Sequence, residues 1–214
     1  FDGNTLVALA DGRSLSFKEL VEEWQKGKVN YCYTIKKDGN IGIEKILSPR
    51  ITKQNAEVVR VVLDNGETIV CTTDHKFMLR NGAYTQAQHL TLGMSLMPLV
   101  RKLSKIEHRI TIEGYEMALD PVTHKWIFTH LLSDRFNLNN GISQEIGDTV
   151  HHKDFNKLNN NPDNLVRMGS REHLLCHTTV LEKTLHSKEI KEKSKKAHQT
   201  KAYRGKIRKI MSTP

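Results

Sequence analysis

Through the first hundred residues, short apolar runs of β type alternate with turn-forming residues. Thr5 to Leu9, Tyr31 to Ile35, Ile41 to Ile43, Val58 to Leu63 and Thr68 to Thr72 are rich in residues that suit a pleated, half-buried surface. Between them lie Asp11-Gly12, Lys37-Asp38-Gly39-Asn40 and Asp64-Asn65-Gly66, which supply the backbone freedom that tight hairpins need. Residues 1–99 are therefore expected to form a mostly-β domain, with Ser95 to Leu99 as its last strand. One stretch has a helical period instead. Ser16 followed by Glu19 makes a capping box, Phe17, Leu20, Val21 and Trp24 share a face, and Gly27 ends the run.

Residues 100–114 read as a passage into a second region. Met117 to His130 has the pattern of a hairpin with its turn at Asp120 to Thr123, and Leu131 to Leu138 that of a short helix buried through Leu131, Leu132, Phe136 and Leu138. Asn137 to Asp148 is polar and expected to be a loop. A short apolar run then closes on His151 and His152, an Asn-rich stretch follows to Asn161, and Ser170 is placed to cap a helix that carries His173 and His177. Adjacent strand residues face opposite ways, whereas helical residues four apart share a face. Four imidazoles and the amide of Asn164 can thus converge on one point, with one of the paired histidines on a metal and the other facing substrate. His124 and His130 read as surface or supporting residues rather than ligands.

Charge sharpens this picture. The net charge is +9, and from Thr178 onward there are eleven Lys or Arg against three Glu, so nearly the whole excess lies in the last sixth of the chain. Residues 180–214 are expected to form a basic helical tail with little apolar surface, and a phosphate backbone is its natural partner. Lys188, Lys191, Lys195, Lys196, Lys201, Arg204, Lys206 and Arg208 are the candidate DNA contacts; a solvated tail is the alternative. Cys32, Cys71 and Cys176 are odd in number and widely spaced, which excludes a disulfide framework and fits a reducing, cytoplasmic compartment. No apolar run approaches the ~18 residues of a membrane span, so no membrane partner is expected.

Val150 to His177, taken as one unit, resembles the HNH (ββα-metal) nuclease motif. The resemblance implies that His152 is the general base and that Asn164 ties down and orients the site loop. It also implies that His151 and His173, with His177, hold one divalent cation. Imidazole ligands suit Zn, Ni or Mn better than Mg, although an open site can use Mg. The expected reaction is metal-dependent hydrolysis of double-stranded DNA, leaving a 5′ phosphate and a 3′ hydroxyl.

The N-terminal half resembles the Hint (hedgehog/intein) splicing domain. Gly3-Asn4-Thr5-Leu6-Val7 is similar to the tail of the intein start motif, and Gly66 to Gly82 is similar to the second motif, with Thr72-Thr73-Asp74-His75 at its centre. In that family the histidine destabilises the scissile amide and protonates its departing nitrogen, and the threonine polarises the bond, roles that fall here on His75 and Thr72. No Cys or Ser precedes Phe1 and no terminal His-Asn pair is present in this sequence, so the splicing element is expected to be incomplete and to need a C-terminal intein segment and host exteins as partners.

The expected whole is α+β: a Hint-like splicing domain over 1–99, an HNH endonuclease over 100–179 and the basic tail over 180–214. It reads as an intein-borne homing endonuclease. The competing readings are a splicing element with an inactive nuclease, a Hint-linked nuclease toxin and a DNA-binding module without catalysis.

Overall fold

The computed structural model describes residues 1–143, 146–185 and 192. It divides into two compact units, Phe1–Glu145 with Val150–Arg167, and Ile146–Thr149 with Met168–Pro214.

The first unit is built largely of hairpins. Strands β1 (Leu6–Ala8) and β2 (Ser14–Ser16) pair antiparallel across the Asp11-Gly12 turn, and α1 (Phe17–Gln25) follows directly. Its capping box is complete: Ser16 Oγ accepts from the Glu19 N–H, and the Glu19 carboxylate accepts from the Ser16 N–H at 2.8 Å. Leu20 is its fully buried residue, and Gly27, at φ +80°, provides the left-handed exit that a residue with a Cβ resists.

Next come β3 (Tyr31–Ile35) with β4 (Ile41–Lys45), and β5 (Val58–Val62) with β6 (Thr68–Thr72), each an antiparallel pair closed by its expected turn. A further hairpin, β7 (Lys76–Met78) and β8 (Tyr84–Gln86), turns at Asn81-Gly82. Ser95 to Leu99 does not become a strand. Its backbone meets residues 78–80 irregularly, through Arg80 N–H to Ser95 O at 2.8 Å, Met97 N–H to Met78 O at 2.9 Å and a single bridge between Leu96 and Leu79. An apolar run needs a neighbour in register over several residues to be a strand, and these contacts make one isolated bridge and no continuous ladder. The strand lies instead at β9 (Arg101–Leu103), which joins β10 (Glu116–Leu119) and β11 (Trp126–Phe128) in a sheet ordered β11-β10-β9.

One apolar cluster gathers Ala10, Tyr31, Ile41 and Ile43 with Ala118, Leu132 and Phe136, so residues on both sides of position 99 share a core. A second surrounds Cys71, Phe77 and Ala87. Helix α2 (Thr129–Asn139) runs past the expected start of the polar loop at Asn137. It buries Leu132 and Phe136, but Leu131 is exposed and Leu138 only half-buried; the rest of its buried face is polar, formed, beyond Thr129 at its start, by Ser133, Asp134 and Asn137. Those groups have partners in the later segment. Ser133 Oγ donates to the Asn160 carbonyl, Asn137 Nδ2 donates to the Pro162 carbonyl at 2.7 Å, and Arg167 grips the Asp134 carboxylate through Nε at 2.8 Å and Nη2 at 2.7 Å. Such buried pairing makes α2 the scaffold for residues 160–167.

Residues 150–167 supply most of a pair of strands, β12 (Thr149–His152) and β13 (Leu165–Met168), with a 3-10 turn at Pro162–Asn164 between them. The second unit contains α3 (Ser170–Leu185). Ser170, expected as its cap, is already helical. The Gly169 carbonyl takes the first helical bond, from His173 N–H at 2.9 Å, and Ser170 Oγ instead donates to Asp148, 2.9 Å from both carboxylate oxygens. Among the described residues no helix is long and apolar enough to cross a membrane.

Candidate functional site

Strand β12 delivers His151 and His152 side by side at its end, 6% and 7% exposed. Alternation along a strand predicts one ring open to substrate; both are covered. The His151 ring lies edge-on to Phe155 at 4.9 Å, and Phe155 itself is held in the left-handed region at φ +60°, its N–H donating to the His152 carbonyl at 2.9 Å. The His152 ring is bounded by His130 at 5.8 Å and Tyr115 at 6.1 Å, and its Nε2 lies 3.0 Å from Oδ1 of Asn160.

Behind the pair, Asn164 acts as a clip. Its Nδ2 donates to Asp154 Oδ1 at 2.9 Å and to the Asn159 carbonyl at 2.8 Å, its Oδ1 accepts the Asp154 N–H at 3.2 Å, and its own carbonyl accepts the Lys153 N–H at 2.9 Å. One side chain therefore fixes both arms of the loop that leaves the histidine pair. Asp154 is held below the usual carboxylate range: burial opposes this, but hydrogen bonds from Asn159 and Asn164 and the nearby His152 outweigh it.

His130, expected in a supporting role, lies against His152. Its Nδ1 is buried and finds no hydrogen-bond partner among the described residues, and burial first, then the neighbouring His152, push its pKa down to about 4. It is a neutral imidazole at physiological pH. Asn160, 1% exposed, is singled out by no spacing; only its membership of the Asn159 to Asn161 run hints at it.

In the second unit, His173 and His177 share one face of α3, with their Nε2 atoms 3.1 Å apart. Burial lowers the pKa of His173, and the neighbouring His177 lowers it further, the direction that favours the neutral imidazole a metal ligand needs. Two converging imidazole nitrogens fit a divalent transition metal.

The other candidate site lies at the end of β6. Thr72 accepts the His75 N–H through its carbonyl at 3.1 Å, closing a tight turn, and hydrogen bonding from the Thr72 side chain holds Asp74 below its usual range. The His75 ring is held by aromatic neighbours, with Phe1 at 3.9 Å and Phe77 at 5.1 Å between ring centres. Burial lowers its pKa, with the neighbouring Asp74 opposing.

Lys188, Lys191, Lys195, Lys196, Lys201, Arg204, Lys206 and Arg208 lie outside the described residues. The thiols of Cys32, Cys71 and Cys176 are free.

No family profile matches this chain. Over a 216-residue alignment it is 54% identical to the B subunit of DNA gyrase from Synechocystis sp., and the alignment takes in 100% of this chain and 20% of that protein. The chain thus spans about a fifth of the length of the relative it matches.

Proposed function

We propose that this chain is an intein segment that carries an HNH homing endonuclease, a cytoplasmic element that cuts double-stranded DNA. The observation that carries the nuclease reading is the Asn164 clip, which gives the loop behind His151 and His152 a fixed shape. Phosphodiester hydrolysis needs an activated water and a stabilised leaving oxygen.

In this reading His152 takes the proton from water, and His130 beside it, neutral near pH 7, adds no competing charge. His151, His173 and His177 would hold one divalent cation. Its chemistry, when bound, is to offset charge on the phosphate and on the departing 3′ oxygen. The chain's basic tail, through Lys188, Lys191 and their neighbours, would track the phosphate backbone. Thr72 and His75 would serve the splicing reaction, in company with a C-terminal intein segment and flanking exteins.

The test is incubation of the chain with duplex DNA carrying the joined flanks, with and without Mn²⁺ or Mg²⁺. Metal-dependent cutting that leaves 5′ phosphates is expected; intact DNA under both conditions sinks the reading. Identity to the gyrase protein also favours a second reading, in which the chain is an ordinary part of such a protein without cutting activity of its own. The same experiment separates the two.

A further inference from the structure

We propose that Asn160 is a positioning residue for the reaction, holding His152 with its proton on Nε2 so that Nδ1 is the nitrogen that accepts a proton from water. The inference rests on the nuclease reading above for its function, though not for its geometry. Asn160 Oδ1 lies 3.0 Å from His152 Nε2, and Asn160 Nδ2 donates to the Leu158 carbonyl at 3.2 Å. These two contacts fix the orientation of the amide. Turned over, it would set Oδ1 against the Leu158 oxygen, two acceptors facing each other, and offer the ring an N–H where an acceptor now sits. With Oδ1 toward the ring, Nε2 must carry the proton, and the lone pair falls on Nδ1.

Asn160 is itself held from several sides. Its N–H donates to the Ala10 carbonyl at 2.9 Å, and its carbonyl accepts from Ser133 Oγ on α2. The residue thereby ties a nitrogen of His152 to the turn after β1 and to a helix, both outside the loop that carries the histidines. That is a stiffer reference than the loop could provide alone. A general base whose proton is taken by one fixed nitrogen needs this arrangement, because a freely turning imidazole presents the accepting nitrogen in the right direction for only part of the time.

Two measurements on the full chain test the proposal. In nitrogen-15-labelled protein near pH 8, the His152 Nε2–H proton, identified by its absence in His152→Ala, should be visible and protected from exchange with water. Asn160→Ala should lose that signal, and Asn160→Asp, which keeps an acceptor oxygen, should retain it. On duplex DNA with Mn²⁺, Asn160→Ala should lower kcat about tenfold or more with KM nearly unchanged, since the residue acts through the base and not on DNA binding. Asn160→Asp should recover part of that loss. Backbone amide spectra check that both variants fold, and the wild-type Nε2–H signal decides the point if Asn160→Ala does not. A wild-type His152 protonated on Nδ1, or an Nε2–H signal and kcat unchanged in a folded Asn160→Ala, overturns the proposal. A wild-type chain that cuts no DNA while showing the protected Nε2–H would instead remove the nuclease reading and leave the Asn160 contact standing.

Discussion

His75 and His152 are the two imidazoles expected to move protons, and the protein holds them by different means. Aromatic rings surround His75, with Phe1 and Phe77 within about one ring diameter, whereas His152 is tied through Nε2 to an amide oxygen. Burial within an aromatic cage lowers the pKa without choosing which nitrogen carries the proton. An amide makes that choice. The difference would suit the two tasks proposed: the splicing role would ask one ring first to strain an amide and then to protonate its nitrogen, while hydrolysis would ask for one-way acceptance of a proton from water. The Asn164 clip and the polar face of α2 belong to the second design, where direction matters as well as charge.

The comparison breaks most readily at His152. His152→Ala should lower the cutting rate by ~10² or more with DNA affinity nearly unchanged, because a base contributes to the transition state and not to phosphate binding. Retention of more than about a tenth of the wild-type rate would place the base elsewhere.

Next is the neighbour that keeps the His152 environment neutral. Folding lowers the His130 pKa from its usual range near 6.5 to about 4. A base whose folded value is depressed contributes stability that is complete above the unfolded value and is lost as pH falls toward the folded one. Between pH 6.5 and 4 the wild-type chain should lose about 3 kcal/mol that a folded His130→Gln variant does not lose. Denaturant midpoints of the two proteins at pH 7 and pH 4 measure the difference; parallel losses would show that His130 is not the group responsible.

For the caged ring, a chain with Cys placed before Phe1 and joined by a complementary C-terminal segment should splice, and His75→Ala should slow that reaction by ~10² while leaving DNA cutting untouched. Loss of both activities from either histidine variant would mean that the two sites are not the separate devices contrasted here. The smallest effect is expected at the clip. Asn164→Ala removes three hydrogen bonds from a part-buried loop and should cost about 1–3 kcal/mol in chemical denaturation, whereas His152→Ala makes no such cut in the loop's backbone support. Equal stability of Asn164→Ala and wild type would mean that the loop keeps its shape without the clip.

Local chemistry made much of this molecule legible from its residues alone. The turns at Asp11-Gly12, Asp38-Gly39 and Asp64-Asn65-Gly66 each close the hairpin expected of them, and Ser16 with Glu19 starts α1 where the capping pattern places it. These features rest on contacts between residues a few positions apart, so the sequence carries both partners together. The position of the histidine pair at a strand end and the reach of Asn164 across its loop are of the same kind, spanning about a dozen residues.

What the tertiary structure alone decided depends on partners far away in the chain. Ser95 to Leu99 has the composition of a strand but finds only Leu79 in register, while Arg101 to Leu103, less apolar, pairs with β10. Polar Ser133, Asp134 and Asn137 look like the outer face of a helix until Asn160, Arg167 and Pro162 arrive to bond with them, 25 to 33 residues later. Asn160 itself reads as one asparagine among three. It becomes a positioning group because Ala10 and Ser133 hold its backbone, Leu158 turns its amide, and the oxygen then meets His152. Hydrogen bonds are directional and short, so which of several equivalent amides makes one is set by where folding puts the donor, and composition and spacing hold no record of that.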